Sequence, residues 1–171
     1  MIAALQSQVR WPGVAVARQV LALADPRRES PLESWSAWAF AHTGVPAPEW
    51  QVEICEPDAG IFVARADSWW ADGVVGEADG RSKYALAAAE RGGGNEAVFD
   101  VLQDERRREQ RLREVGAEVV RWSTGEVLKE SKARALAQRI PGAISVAQEN
   151  ARFTGIIAPA RSFDPTMLQF P

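Results

Sequence analysis

Cysteine is almost absent from this 171-residue chain. The single one, Cys55, excludes an intrachain disulfide and offers no zinc-site spacing. It lies in a run that alternates apolar and polar residues, where a buried structural thiol is the expected role. Histidine is as scarce: His42 stands alone at the end of an early helix, where it reads as structural. Lysine is also rare, with three (Lys83, Lys129, Lys132) against seventeen arginines. Arginine cannot release its proton whereas lysine can, so Lys83, close to a group of carboxylates, stands out. No apolar run approaches membrane-spanning length. Met1 to Arg10 lacks a basic region followed by an apolar core, so no export signal is visible and a cytoplasmic protein with no membrane partner is expected. The formal net charge of −3 does not point to a nucleic-acid coat protein or a membrane-surface binder, which leaves local charge to carry any such argument.

The apolar share of 46% and charged share of 25% are those of an ordinary globular domain with a real core. The most informative stretch runs from Ala64 to Tyr84. It sets Asp67, Glu77, Asp79 and Lys83 around two short apolar runs that read as paired strands. Carboxylates at one sheet edge can share a divalent cation, and a nearby lysine can stabilise charge or handle a proton. That is the chemistry of metal-dependent phosphodiester cleavage. The same Asp-Gly pairs equally suit the turns of a polar hairpin.

Along the chain, Val14 to Ala24 reads as a helix bounded by Pro12-Gly13 and Asp25-Pro26. Ser30, Pro31 and Glu33 give a cap, a first-position proline and a capping box for a second helix. Its buried stripe is Leu32, Trp35, Ala39 and Phe40, and Gly44 stops it. Trp50 to Cys55 and Ile61 to Ala66 alternate as strands around the turn at Pro57 to Gly60. A third strand starts at Val74 and runs into Glu77-Ala78-Asp79. Arg91 to Asn95 reads as a loop, followed by a long helix from about Glu96 to Val115 with Gly116 as its stop. Glu118 to Trp122 is a fourth strand, and Ser123 with Glu126 caps a helix towards Gln138. Beyond Pro141 the signals fade, and Pro159 to Pro171 reads as a loosely held tail. Trp69 and Trp70 are expected in the core. The boundaries that result are a helical extension over 1–28, an α/β domain over 29–138 and an irregular extension over 139–171. Three strands in a meander, then a helix and another strand, predict a mixed sheet with helices on both faces.

The long helix carries Glu105-Arg-Arg-Arg-Glu109, Arg111 and Arg113. At about 100° per residue, Val98, Val101, Leu102, Leu112 and Val115 share one face, and Glu105, Arg108 and Glu109 fall within the same arc. Charges inside a buried stripe must be paired or face a polar cleft. Glu105 and Arg108 are therefore expected beside the carboxylate edge, in contact with a phosphate backbone, or in a buried ion pair. Arg106, Arg107, Arg111 and Arg113 read as a solvated face.

Ser30-Pro-Leu-Glu-Ser34, Gly44-Val-Pro-Ala-Pro48, Gln51, Arg65-Ala-Asp67, Gly76-Glu-Ala-Asp-Gly80 and Lys83-Tyr84 occur in an order that continues through Glu105 to Glu109, Leu112-Arg113, Gly116 and Val119-Val-Arg-Trp122. Over about residues 27–130 this resembles the C-terminal domain of actinobacterial AbiEi-family type IV antitoxin proteins. Those domains belong to the Vsr-like branch of the PD-(D/E)xK restriction-endonuclease fold. The resemblance implies an α/β, restriction-endonuclease-like mixed sheet of about four strands (αβββαβ core) flanked by helices. It implies Asp67 and Glu77 as metal-binding acids for Mg2+ or Mn2+, with Lys83 or Arg108 assisting. Asp79 stands where the family signature has lysine, and Lys83-Tyr84 where Vsr-like nucleases have histidine. Glu33 matches the glutamate of the family's first helix, which can lie near the metal edge; its own spacing makes it a capping residue. Two functions follow. One is a metal-dependent nuclease acting on nucleic acid, DNA ahead of RNA. The other is a non-catalytic antitoxin or regulatory module that keeps the fold and meets a toxin, a regulatory protein or nucleic acid.

Overall fold

The computed structural model describes residues 11–79 and 94–158. In chain order these form α1 (Val14–Ala22), α2 (Pro31–Thr43), β1 (Glu49–Cys55), β2 (Phe62–Trp70), β3 (Val74–Asp79), α3 (Gly94–Glu114), β4 (Glu118–Ser123), α4 (Thr124–Val127), α5 (Glu130–Asn150) and β5 (Ile156–Ala158). A short 3-10 turn, Ala71–Gly73, joins β2 to β3. The tail from Pro159 and most of the expected loop at 91–95 lie outside the described residues, and Gly94 and Asn95 already belong to α3.

Local signals set the helix ends. Before α2, Ser30 is extended and its Oγ accepts the Glu33 amide at 3.2 Å, with Pro31 in the first turn. The Glu33 carboxylate reaches one residue further back than in a standard capping box, accepting from the Glu29 amide at 3.1 Å. Gly44 closes α2 in the left-handed region (φ 78°). At the end of α3, Gly116 (φ 78°) donates to the Arg113 carbonyl and Ala117 to that of Leu112, both at 2.9 Å. That pair of bonds is a Schellman stop, and Leu112 and Ala117 are both buried in one core, as that motif favours. Ser123 and Glu126 complete a reciprocal capping box in front of α4.

The sheet is mixed and five-stranded, in the order β4-β3-β2-β1-β5. β1, β2 and β3 form an antiparallel meander, and β4 lies parallel to β3 after the crossover through α3. β5 pairs antiparallel with the outer edge of β1. Neighbouring strand residues enter different cores, as alternation requires. Trp70 and Val74 pack with Phe40 of α2 and Leu136 and Ile140 of α5. Trp69 and Val75 pack with Val52, Ile54, Leu112 of α3 and Val115 just past its end. Phe40 is the hub of the first core, with its ring 5.3 Å from Trp122 and 5.8 Å from Trp70.

Four expectations need correction. The sheet has five strands rather than about four, because β5 forms within the stretch read as irregular. The single helix expected from Ser123 towards Gln138 is two, α4 and α5, and α5 runs to Asn150 with Pro141 inside it. A proline there removes one backbone bond and costs about 3 kcal/mol of helix propensity. Burial of Ala133, Leu136, Ile140 and Ala147 along one stripe outweighs that. Trp35 is exposed, since α2 buries the arc of Leu32, Ser36, Ala37, Ala39 and Phe40 instead. Ser36 is what brings Trp122 close on that side: its Oγ accepts the Trp122 indole N–H at 2.7 Å. Last, the apolar stripe of α3 is only half buried, with Leu112 and Val115 in the core and Val98 and Leu102 exposed.

Candidate functional site

The site is a fork in the sheet. The ladder between β2 and β3 runs through Trp70–Val74 and Trp69–Val75 and stops at Ser68–Gly76. Past that point β2 pairs with β1, and β3 pairs with β4. Asp67 and Glu77 are the first residues beyond the last rung, one on each arm. Gly76 makes this convergence point tight. A Cβ there would lie 2.3 Å from Ser68 Oγ and within 2.7 Å of the Trp122 and Trp70 rings. The Ser68 hydroxyl donates to the Gly76 carbonyl at 3.2 Å.

Strand separation leaves backbone groups that need partners. Asp67 supplies one: its Oδ2 accepts the Ala78 amide across the fork at 2.9 Å. Arg108, from α3, supplies the other. Its Nη2 donates to the Arg65 carbonyl on β2 at 2.9 Å and to Glu77 Oε1 on β3 at 2.6 Å. One guanidinium thus spans both arms. Its Nη1 also lies 3.4 Å from Glu105 Oε1, one helical turn away. Glu77 is 5% exposed, so this pair is largely removed from water.

The charges continue into β4. Arg121 is the register partner of Glu77. It reaches Glu105 at 2.5 Å and Glu109 at 3.2 Å. Acid and base therefore alternate where α3 meets the sheet, in the chain Glu77, Arg108, Glu105, Arg121 and Glu109, with Asp67 also in the field of Arg108. Burial opposes the charge on Arg108, but the fields of Glu77, Glu105 and Asp67, with the hydrogen bond from Glu77, hold its pKa above the ordinary value.

Glu33 lies at the other end of the arrangement. It is buried, caps α2, and accepts from Gln51 Nε2 at 2.9 Å. Gln51 falls between the pairs Trp50–Ser68 and Val52–Ala66, across from Asp67. Its backbone has φ 56°, a left-handed conformation that non-glycine residues adopt at a cost. Its Oε1 is buried without a hydrogen-bond partner among the described residues.

The structure thus brings together Asp67, Glu77, Glu105 and Arg108. Asp79 follows Glu77 at the end of β3 beside Ser123, half-buried. Lys83 lies outside the described residues. Arg106, Arg107, Arg111 and Arg113 are exposed, as a solvated face should be. His42 is exposed and stacks on Trp38 with ring centroids 3.9 Å apart, a local structural role. Cys55 is only partly buried. Arg121 and the Arg65 carbonyl were not foreseen. The available signal for Arg121 was a charge between two buried residues, Val120 and Trp122, in the edge strand β4.

Among the described residues, one oxygen of the Asp67 and Glu77 acid pair is already engaged by an arginine. Mg2+ and Mn2+ bind carboxylate oxygens, and the Glu77 carboxylate already holds a fixed cation at 2.6 Å. A dication there would sit against the Arg108 charge in a poorly solvated place, where like charges repel strongly. Among the described residues, no helix is long and apolar enough to cross a membrane. The chain matches no protein-family model, no curated protein and no solved structure.

Proposed function

We propose that this chain is a non-catalytic, regulatory domain of antitoxin type built on a restriction-endonuclease-like scaffold, and that it acts by binding. The observation that carries this reading is the Arg108–Glu77 pair, 2.6 Å long and spanning the fork where a nuclease of this kind would hold its metal. The scaffold is supported by the succession α2, β1, β2, β3, α3, β4, with an antiparallel meander followed by a parallel strand. Asp79 in place of the signature lysine supports loss of turnover.

A second reading, a metal-dependent nuclease, is favoured by one observation. Asp67 and Glu77 are the first residues on the two parted strands, the geometry that brings two acids to one opening. A single assay separates the two. Wild type and Asp67→Ala are incubated with single- and double-stranded DNA and RNA in Mg2+ or Mn2+. The expected result is no metal-dependent cleavage by either protein. Cleavage by wild type that disappears in Asp67→Ala would overturn the proposal and establish the nuclease.

A further inference from the structure

We infer that the outer edge of β5 receives an extended segment of a partner protein, one that carries an apolar and a basic side chain two residues apart on one face. The inference rests on the binding role proposed above and gives it a surface, which β1 separates from the strand that carries Asp67. The two edges of the sheet differ. On β4, side chains close the edge: Arg139 donates to the Arg121 carbonyl, and Glu126 Oε2 accepts the Ser123 amide at 2.9 Å. β5 is the uncharged triplet Ile156–Ala158. Among the described residues no hydrogen bond reaches its outer side. Charged side chains, bulges or proline normally guard such an edge. Pro159, next in sequence, has no N–H to donate, which keeps any pairing short.

The register shows what an added strand meets. Directly opposed residues share a face, which gives two rows across the sheet: Phe62–Cys55–Ile156, apolar, and Arg65–Glu53–Ala158. Ile54, Val63 and Ile157 beside them turn to the α3 core, so both rows lie on the opposite face. The core under α2 and α5 does not extend to them, and from β1 it takes only Trp50. Phe62 and Ile156 are 49% and 48% exposed, so the apolar row ends open at the edge. A partner strand continues each row. Beside Ile156 an apolar side chain extends the strip. Beside Ala158 the next side chain faces Glu53 across one methyl group. Arg65 turns from Glu53 to Glu29 at 2.6 Å, and Glu53 has no ion pair among the described residues. A long basic side chain can lie over Ala158 and reach it. A second copy of β5 brings isoleucine and alanine but no cation, so it answers only the apolar row.

The test uses the full chain and a capped fluorescent peptide with isoleucine and arginine two residues apart on one face and threonine on the other. Binding is read by fluorescence anisotropy. Cys55, the one thiol of the chain, reports on the face through its rate of reaction with an aromatic disulfide. Saturable binding is expected, with slower reaction of Cys55 at saturation. Glu53→Gln should weaken binding about two- to fivefold. Ile156→Lys, which puts a charge on the edge, should abolish it. Glu130→Gln, at an exposed pair on α5, should leave it unchanged. Absence of saturable binding, binding that leaves Cys55 as reactive as before, or equal binding by Ile156→Lys each overturns the inference. Equal weakening by Glu130→Gln and Glu53→Gln also overturns it, because the attraction is then general. So does a wild-type dimer that Ile156→Lys splits into monomers, since a second copy then holds the edge. If Ile156→Lys does not fold, Glu53→Gln and the Cys55 rate decide. None of these failures touches the non-catalytic reading, which falls only to metal-dependent cleavage by the wild-type chain.

Discussion

Arg108 and Glu77, 31 residues apart in sequence, form a 2.6 Å ion pair that fastens α3 to the open end of the β2–β3 fork. The pair is buried on the Glu77 side, and Arg108 is 21% exposed. Removing Glu77 from the pair leaves the Arg108 charge in a poorly solvated place with only the longer contact to Glu105, at 3.4 Å, as a described ion-pair partner. Glu77→Gln is therefore expected to destabilise the fold by about 3–5 kcal/mol, measured by urea denaturation. The exposed pair Arg65–Glu29 is the control: Glu29→Ala should change stability by less than about 1 kcal/mol. Equal effects from the two variants would contradict the assigned role of Arg108.

Gly76 is required by packing rather than by its backbone angle. A methyl group would stand 2.3 Å from Ser68 Oγ and 2.6 Å from the Trp122 ring. Gly76→Ala should cost about 1–3 kcal/mol or more through overpacking. It should also alter near-ultraviolet circular dichroism, because Trp70 and Trp122 must shift. A variant that melts like wild type would show that the ladder can open at Ser68–Gly76 without strain.

Stability in acid should depend on Glu126. Burial works against its charge, but bonds from Ser123 and Arg139 outweigh that and hold its pKa below the ordinary glutamate value of 4.5. Asp25 is likewise lowered, chiefly by its hydrogen bond from Arg27. A depressed folded-state pKa means that the unfolded chain binds more protons, so this stability is complete above the unfolded value and is lost as pH falls through the folded one. Unfolding free energy should therefore decline on acidification below pH 4.5, and Glu126→Gln should flatten that decline. An unchanged slope in the variant would remove Glu126 from the account.

Ala151 ends α5 in the left-handed region, at φ 45° and ψ 40°, and is exposed. A side chain in that conformation costs about 1–2 kcal/mol, which glycine avoids at a smaller entropic cost. Ala151→Gly should therefore stabilise the protein by roughly 0.5–1 kcal/mol, raising the melting temperature. A lower melting temperature would mean that the helix end relaxes to another conformation in solution.

Several features needed no tertiary structure to be seen. Ser30, Pro31 and Glu33 announce α2, Gly116 ends α3, and Ser123 with Glu126 opens α4, because caps and stops are made by neighbours in sequence. The alternation in β1 and the run into Glu77 placed the strands, and the charges at Glu105, Arg108 and Glu109 within an apolar arc required partners. Which partners was not legible. The stretch at Pro141 looked like a helix end, and burial of Ile140 and Ala147 carried α5 through it. Trp35 looked like core until Ser36 proved to be the residue that receives Trp122.

At the site the division is the same. The sequence by itself determined that Asp67 and Glu77 stand at strand positions beside a polar opening, and that Arg108 could not face plain hydrocarbon. Only the tertiary structure decided that Arg108 enters the fork and neutralises Glu77, since that depends on how α3 lies across the sheet. The physical reason is range: caps, turns and alternation act over a few residues, whereas a buried charge is settled by whichever opposite charge the packing of distant elements brings within hydrogen-bond reach.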